Sequence, residues 1–300
     1  MFGLIFSTQH VILKYQLELL QNIPGLTWVP QIPLYLLNKT QEEIDIIFTP
    51  KIYKAAQYSR QAPRIDNNIN KDLPNSFDWT ESKPLCVRNI RDQKSCVASQ
   101  LFAQTSLLSD LRCIKGVDKK FVQYSEQYQI NCYLAMYGYG CSTDSILVTD
   151  ISFLHLKYPY GVVPASCVSF QANAQKCPTN CDNGSELPQR TVLKSQNTKN
   201  WDSNDWGAEI ENQVKSATLR GPILMQFSTY TDLMFYSSGV YVHQTGDFTG
   251  KTSGEVVGYG VENGLKFWKM KMPFGEEWGE NGFLKIAQTE LDQQYWEFVL

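Results

Sequence analysis

The sequence lacks the features that mark nucleic-acid-binding and membrane-spanning proteins. Its 300 residues carry 27 Lys and Arg against 30 Asp and Glu, a formal net charge of −3, so no basic excess is available to neutralise a phosphate backbone. No apolar run reaches the roughly 18 residues that a transmembrane helix needs. With 43% hydrophobic and 13% aromatic residues, the chain is also too apolar to be disordered. These absences predict a soluble globular protein that binds no nucleic acid.

Cysteine is absent from the first 85 and the last 119 residues, and all eight cysteines lie between residues 86 and 181. An even number clustered in this way indicates a disulfide-stapled region that folds in an oxidising compartment, although spacing alone assigns no pairing. Cys177 and Cys181 have the spacing of a metal-binding pair. No second close pair of cysteines or histidines accompanies them, so we favour disulfides and expect no metal and no cofactor.

The compartment is predicted mainly from these cysteines. The sequons at Asn38 and Asn183 are candidate N-glycosylation sites and agree with a secretory route. Residues 1–6 are apolar but lack the cationic stretch and the length of an ordinary signal peptide. We expect the lumen of the secretory pathway, a lysosome-like compartment or the extracellular space.

The first 72 residues differ from the rest because they contain no cysteine and end in a polar stretch at residues 60–72, which is typical of a linker. Residues 41–48 have helical character, with Thr40 as a candidate N-cap. Further helices are predicted over 99–115, ended by Gly116, over 125–132, begun by Ser125, and over 145–156.

From about residue 220 the pattern changes to short aromatic and β-branched segments, which predict strands of an antiparallel sheet or barrel. These segments are Ile223–Phe227, Val240–Val242, Glu255–Val257, Phe267–Met270 and Gly282–Ile286. Helices first and strands second imply an α+β fold. We therefore expect a mainly helical, disulfide-rich half over about 73–180 and a mainly β half over about 181–300.

Several ordered motifs closely resemble those of papain-type cysteine proteases: Leu73–Trp79, Ile90–Cys96, Tyr124–Tyr128, Gly258–Gly260 and Glu277–Phe283. The cathepsin B-like branch is the most similar, on the segments Leu111–Ile114, Tyr230–Asp232, Ser238–Tyr241 and Gly258–Gly264. The early segment Ile23–Trp28 resembles part of a propeptide of that branch. The resemblance implies a papain-like fold over residues 73–300, with a helical left subdomain and an antiparallel β-barrel right subdomain, after a propeptide-like segment and linker at residues 1–72.

The resemblance also implies four disulfides that use every cysteine: Cys86 with Cys113, Cys96 with Cys141, Cys132 with Cys177, and Cys167 with Cys181. Only nine residues separate Cys167 from Cys177, and none is histidine. The occluding loop, which in cathepsin B supports dipeptide trimming from the carboxyl end, is therefore expected to be missing.

Thiol proteolysis needs a thiolate nucleophile, an imidazole that activates it and an amide that orients the imidazole. The family motif Gln-Gly-Ser-Cys-Gly-Ser-Cys-Trp corresponds here to residues 93–100, which places Ser99 at the position of the nucleophile. The family histidine lies six residues before Gly-Tyr-Gly, where this chain has Thr252. Met272 replaces the asparagine. Gln93, which resembles the oxyanion-hole side chain, is retained, but all three catalytic positions are degenerate.

The chain has only three histidines, His10, His155 and His243, and we interpret all of them as surface or packing residues. Ser99 is interpreted as the N-cap of its helix. The substrate-binding loop has also changed, because Cys141-Ser-Thr-Asp144 stands where the family has Cys-Asn-Gly-Gly. What remains of the substrate cleft is expected at Cys141, Thr143, Asp144 and Trp278.

These observations favour a catalytically inactive pseudoprotease that acts as a binding, scaffold or assembly component, with another protein or a larger assembly as its partner. The first alternative is a decoy or inhibitor that binds a protease or its substrate. The second is a residual peptide hydrolase that uses Ser99. The tail at residues 291–300 exposes several large apolar residues in sequence, and we interpret it as a terminal strand packed in the core rather than as a docking peptide.

Overall fold

The computed structural model describes residues 8–40, 43–44, 48, 73–134, 141, 153, 155–201 and 207–300. Its α-helices are α1 (Thr8–Gln21), α2 (Trp79–Ser82), α3 (Ser99–Ile114), α4 (Glu126–Gln129) and α5 (Ala208–Arg220). A π-helical turn, Ile130–Leu134, follows α4, and 3₁₀ turns lie at Leu34–Asn38, Thr231–Phe235 and Gln288–Glu290. Across these ranges no helix is long and apolar enough to span a bilayer.

The strands form one nine-stranded sheet. They are β1 (Trp28–Pro30), β2 (Phe77–Asp78), β3 (Ser195–Asn200), β4 (Ile223–Tyr230), β5 (Tyr236–Tyr241), β6 (Phe248–Glu262), β7 (Leu265–Lys271), β8 (Phe283–Ala287) and β9 (Leu291–Val299). The order is β1-β5-β8-β7-β6-β4-β9-β3, with β2 also paired to β6. All pairs are antiparallel except β5 with β8, so the expected antiparallel sheet is right apart from that pair. The α+β fold class is confirmed.

Two of the predicted helices are confirmed in the disulfide-rich half. Helix α3 buries Leu101, Phe102, Leu108 and Leu111 and is followed by Gly116 at φ +67°, a conformation that favours glycine at a helix end. The Ser125 hydroxyl accepts the N–H of Tyr128 at 2.9 Å and so caps α4. The helix predicted over 145–156 falls mostly outside the described residues.

The sequence did not predict helix α5 or strands β1 and β3, and it placed the C-terminal strand correctly. Strand β9 lies between β4 and β3 and buries Tyr295, Trp296 and Phe298. The interpretation of the tail as a core strand is therefore confirmed.

The early part of the chain is built into the same core as the sheet. Strand β1 pairs with β5, and the Trp28 indole packs against the rings of Tyr236 and Tyr241, with centroids 6.2 and 5.4 Å away. Its Nε1–H donates to the Val242 carbonyl at 3.0 Å. Further along, Leu36, Ile44 and Phe48 are fully buried in that core. Residues 8–48 thus contribute to the hydrophobic core itself.

The helical turn expected after Thr40 has a reciprocal cap. The Thr40 hydroxyl accepts the N–H of Glu43 at 3.2 Å, and the Glu43 carboxylate accepts the N–H of Thr40 at 2.7 Å. This is the capping box of a helix N-terminus. The hydrogen bonds that the Thr40 N–H and hydroxyl donate to the carboxylate lower the pKa of Glu43. Most of residues 41–48 lie outside the described residues, so the length of the helix is not described.

The four disulfides are those that the resemblance implies. They join Cys86 to Cys113, Cys96 to Cys141, Cys132 to Cys177 and Cys167 to Cys181. No cysteine is free. The first ties the end of α3 to the turn after α2, the second joins Cys96, just before α3, to Cys141, and the other two join segments that follow α4.

Candidate active site

The structure brings the four degenerate or retained catalytic positions together where the start of α3 meets strands β6 and β7. The N–H of Gln93 donates to the Pro273 carbonyl at 2.9 Å. The Ser99 hydroxyl accepts the N–H of Ser253, the neighbour of Thr252, at 3.3 Å. Met272 lies against Gly254, since a Cβ on that glycine would approach the Met272 Sδ to 2.7 Å. These contacts bring together the four positions that the sequence resemblance assigns to catalysis.

The interpretation of Ser99 as the N-cap is wrong. The N-cap is Ala98, whose side chain makes no capping bond, and Ser99 is the first helical residue. The helix begins at Ser99 rather than after it because the hydroxyl is engaged across the interface with β6 instead of with its own helix. The oxygen therefore serves as a buried acceptor between α3 and the sheet, with only 3% of the residue exposed.

Amides and hydroxyls surround Ser99. The Ser253 hydroxyl donates to the Gln100 Oε1 at 2.6 Å, and the Gln226 Nε2 bonds both groups at 3.1 Å. Neither an amide nor a hydroxyl takes up a proton near neutral pH. This network orders the start of α3 against β4 and β6, but it supplies no base that would activate the Ser99 hydroxyl.

The positions of the family histidine and asparagine are filled by buried residues that hold the sheet. Thr252 is 4% exposed and lies opposite Phe227 of β4. Met272 is 1% exposed and belongs to the main core, and its backbone N–H donates to the Gly282 carbonyl at 3.0 Å. At the positions that the sequence resemblance assigns to an imidazole and its orienting amide, the side chains are therefore a hydroxyl and a thioether.

The histidines are engaged in other parts of the fold. His155 is buried and stacks on Tyr133, with ring centroids 4.4 Å apart, and burial lowers its pKa. The His243 Nδ1 lies 3.2 Å from both carboxylate oxygens of Asp232, and its ring stacks on Tyr230. His10 lies on α1. The single hydrogen bond of the Ser99 hydroxyl within the described part of the chain is the one from Ser253.

Aromatic residues from both ends of the chain fill the space beside Met272. Phe274 packs edge-on against Trp278 at 4.9 Å, and Phe48 packs on the other side of Phe274 at 5.2 Å. Trp278, expected in the remnant of the cleft, is completely buried. The hydroxyl of Thr249 also donates to the Phe48 carbonyl at 2.8 Å. Residues of the early segment therefore cover the core beside the former reaction centre.

Two other features of the expected cleft are only partly described. Cys141 forms its disulfide with Cys96, whereas Thr143 and Asp144 lie outside the described residues. Tyr35 of the early segment is near the cleft: burial, with the charges of Asp92 and Glu277, raises its pKa. Among the described residues, no group of His, Cys, Asp and Glu could hold a metal ion.

Sequence reasoning missed a buried charge cluster that lies two turns further along α3. The Lys271 Nζ donates to the Asp110 Oδ2 at 2.5 Å and lies 3.4 Å from the Glu255 Oε2. The Ser106 hydroxyl donates to the same Glu255 oxygen at 2.6 Å. The only signal in the sequence was an acidic residue, Asp110, among the apolar positions of α3.

The electrostatics of this cluster follow from its burial. Desolvation and the adjacent Glu255 raise the pKa of Asp110 well above its ordinary value, although Lys271 opposes the shift. Burial alone would lower the pKa of Lys271, but the two carboxylates outweigh it and the pKa is raised. The Lys271 ammonium therefore joins the two acidic side chains, Asp110 and Glu255, within the core.

Comparison with known proteins identifies the family and the fold of this chain. The family model described as papain family cysteine protease matches residues 73–295. Cathepsin B-like CP2 of Giardia intestinalis is 31% identical over 267 residues, which are 87% of this chain and 84% of that protein.

Solved structures show the same fold. Procathepsin B S9 from Trypanosoma congolense superposes with a TM-score of 0.78 at 24% identity, covering 95% of this chain and 97% of that one. The proform of Amb a 11, a cysteine protease and major ragweed pollen allergen, has a TM-score of 0.75 at 20% identity over 97% of this chain and 87% of its own. These superpositions cover a larger share of the chain than residues 73–300 make up, so the structural similarity extends into the early segment.

Proposed function

The chain belongs to the papain family of cysteine proteases, in its cathepsin B-like branch, and we propose that it is a pseudoprotease that acts by binding, as a scaffold or assembly component. In this proposal residues 73–300 form the papain-like domain, with halves at about 73–180 and 181–300. Residues 1–72 are a propeptide-like segment and linker that stays attached. In this proposal the domain binds another protein or forms part of a larger assembly.

The observation that carries the proposal is the environment of Ser99. A serine hydroxyl becomes a nucleophile only when a base removes its proton. Here the hydroxyl accepts the Ser253 N–H, and the groups next to it are amides and hydroxyls. Gln93 could still stabilise an oxyanion, but that stabilisation acts only after a nucleophile has attacked.

The packing of the early segment supports the same proposal. In an enzyme that works by exposing its cleft, the segment over the cleft must leave. In this chain Trp28, Leu36 and Phe48 are part of the central core, and their removal would expose the apolar rings of Tyr236, Tyr241 and Phe274. A protein with no reaction to switch on has no need to release the segment.

The two alternatives receive less support from the contacts. A decoy that holds a substrate in the cleft needs an open cleft, whereas Trp278 is completely buried and Phe48 covers Phe274. A hydrolase that uses Ser99 needs a proton acceptor beside its hydroxyl, and Thr252 and Met272 offer none.

The experiment is a pair of activity assays on the purified full chain. We expect no covalent labelling by an epoxide inhibitor of thiol proteases and no turnover in a peptide substrate screen. Ser99→Ala serves as the control. Turnover that disappears in Ser99→Ala would establish a rearranged hydrolase and refute the proposal, whereas background that is the same in both proteins supports it.

We further propose that the protein folds in an oxidising compartment, in the secretory pathway, a lysosome-like organelle or outside the cell. Four disulfides with no free cysteine support this, because such bonds persist only where thiols are not kept reduced. The sequon at Asn183 supports it too, since the asparagine is exposed in a turn.

A further inference from the structure

A cavity lies at the opposite end of helix α3 from Ser99. Leu111, in its wall, is twelve residues further along the helix, which is about 18 Å at the rise of an α-helix. The cavity has a volume of about 990 Å³, at the upper end of the range for ligand pockets. Its walls are the ends of α3 and α5, the turn at Gly221 and Pro222, strand β3 and the end of β9.

The charge of this cavity is positive. Its side chains include Lys115, Lys199 and Arg220 against one carboxylate, Glu297. Arg220 uses two nitrogens to bind Glu297, at 3.1 and 2.6 Å, and a third to bind the Ser216 hydroxyl. Lys115 and Lys199 have no carboxylate partner in the described part of the chain. Two lysines of the cavity wall therefore lack a carboxylate partner among the residues that the structure describes.

Two buried polar atoms in the wall have no hydrogen-bond partner among the described residues. They are the Gln196 Oε1, an acceptor, and the Gln213 Nε2, a donor. Buried polar groups are almost always paired, so an unsatisfied one needs an explanation. Gln196 lies opposite Phe298 on the face of β3 that α3 covers, whereas Gln213 is on α5, so the two atoms belong to opposite walls of the cavity.

The wall strand β3 is the last strand of the sheet. It pairs with β9 alone among the described strands, so its outer edge has backbone donors and acceptors available for a further strand. Cross-strand partners share a face, which puts Lys199 beside Tyr295 and Asn197 beside Glu297. These pairs face the same side as Gln213, Ser216 and Arg220, which are spaced three and four residues apart on α5.

We propose that this cavity is a docking site for an extended, acidic peptide segment of a partner protein. The segment would lie along β3 as an added strand. Its alternating acidic side chains would reach Lys199 on the α5 side of the sheet and Lys115 on the α3 side. The site is separate from the former reaction centre. Its test can therefore fail or succeed whatever the outcome for the pseudoprotease proposal.

The test measures binding of fluorescein-labelled peptides to the full chain by anisotropy. Three octapeptides are compared, in which single threonines separate pairs of glutamate, glutamine or lysine, so that each peptide has the tested side chain on both faces of an added strand. The glutamate peptide is expected to bind most tightly, and its affinity should fall as salt is raised. Lys199→Glu should weaken it about tenfold, which corresponds to about 1.4 kcal/mol, and Lys115→Glu should act in the same direction.

Lys120→Glu is the matched control, because it reverses the charge of an exposed lysine near α3 that is outside the cavity wall. This variant should bind the glutamate peptide as tightly as the parent chain does. Thermal melting confirms that each variant folds. A glutamate peptide that binds no better than the lysine peptide refutes the proposal. So does a loss of affinity that is the same in Lys199→Glu and Lys120→Glu.

Discussion

The hydroxyl oxygen of Ser99 accepts the backbone N–H of Ser253 at 3.3 Å, so the atom at the nucleophile position joins helix α3 to strand β6. In a working protease this atom must be free to attack a carbonyl carbon. Here it helps to hold the two halves together. The hydrogen bonds of the Ser253 hydroxyl with Gln100 and Gln226 do the same.

The first prediction concerns Trp28 of the early segment. Trp28→Ala removes an indole that packs on Tyr236 and Tyr241, and such a truncation costs about 3–5 kcal/mol of unfolding free energy. Val29→Ala is the matched control on the same strand, because Val29 is 53% exposed and its change should stay within about 0.5 kcal/mol. Urea denaturation of both variants measures this. If Trp28→Ala unfolds like the parent chain, residues 8–48 are a removable cover and not part of the core.

The second prediction concerns the buried charge cluster. Lys271→Met leaves Asp110 and Glu255 without their cation, and removing one partner of a buried pair costs about 3–5 kcal/mol. The matched control is Lys266→Met, since Lys266 is 56% exposed in its pair with Glu211 and an exposed pair contributes at most about 1 kcal/mol. Equal destabilisation of the two variants in chemical denaturation would show that Lys271 does not hold the cluster together.

The third prediction is a dependence of stability on pH. The pKa of Asp110 is raised in the folded chain above its ordinary value of 3.8. Above that pH the unfolded chain releases a proton that the native state retains, so the unfolding free energy falls as the pH rises through the folded pKa. Asn cannot titrate. The unfolding free energy of Asp110→Asn should therefore change less steeply with pH than that of the parent chain in denaturation experiments at a series of pH values. Parallel slopes in the two proteins would contradict a raised pKa at Asp110.

The fourth prediction is a glycan on Asn183. This asparagine is exposed, and its Oδ1 accepts the N–H and the hydroxyl of Ser185 in a tight turn. Expressed through a eukaryotic secretory pathway, the chain should lose mass on endoglycosidase treatment, and Asn183→Gln should remove that part of the loss. Asn180→Gln, three residues away and outside any sequon, should leave the mass loss unchanged. Identical digestion patterns for the parent chain and Asn183→Gln would refute the prediction.

The parts of the fold that could be predicted from the sequence are those held by interactions between residues that are close together in the chain. Helix α3, the Ser125 cap and the Gly116 end are local patterns, and each is confirmed. The early strand at Trp28 and helix α5 were not predicted, because the contacts that hold them are long-range: Trp28 lies opposite Gly239, and the Thr218 carbonyl of α5 accepts the Trp79 Nε1–H.

The same distinction between short-range and long-range interactions applies to the candidate active site. The motifs located Gln93, Ser99, Thr252 and Met272, and the structure places them together. The sequence could not show that Ser99 bonds Ser253 rather than capping its own helix, because the deciding partner is 154 residues distant. The pairing of Asp110 with Lys271, 161 residues apart, was unpredictable for the same reason.

The most direct test of the account is the reactivity of a thiol placed at position 99. Ser99→Cys restores the family nucleophile without its base, and Ser109→Cys places a thiol at an equally buried position of the same helix. The fifth prediction is that iodoacetamide alkylates the two variants at similar, slow rates at neutral pH, because no group at Thr252 or Met272 favours the thiolate. Alkylation of Ser99→Cys that is much faster than that of Ser109→Cys, with an acid-shifted pH profile, would contradict the claim that the site has no activating base.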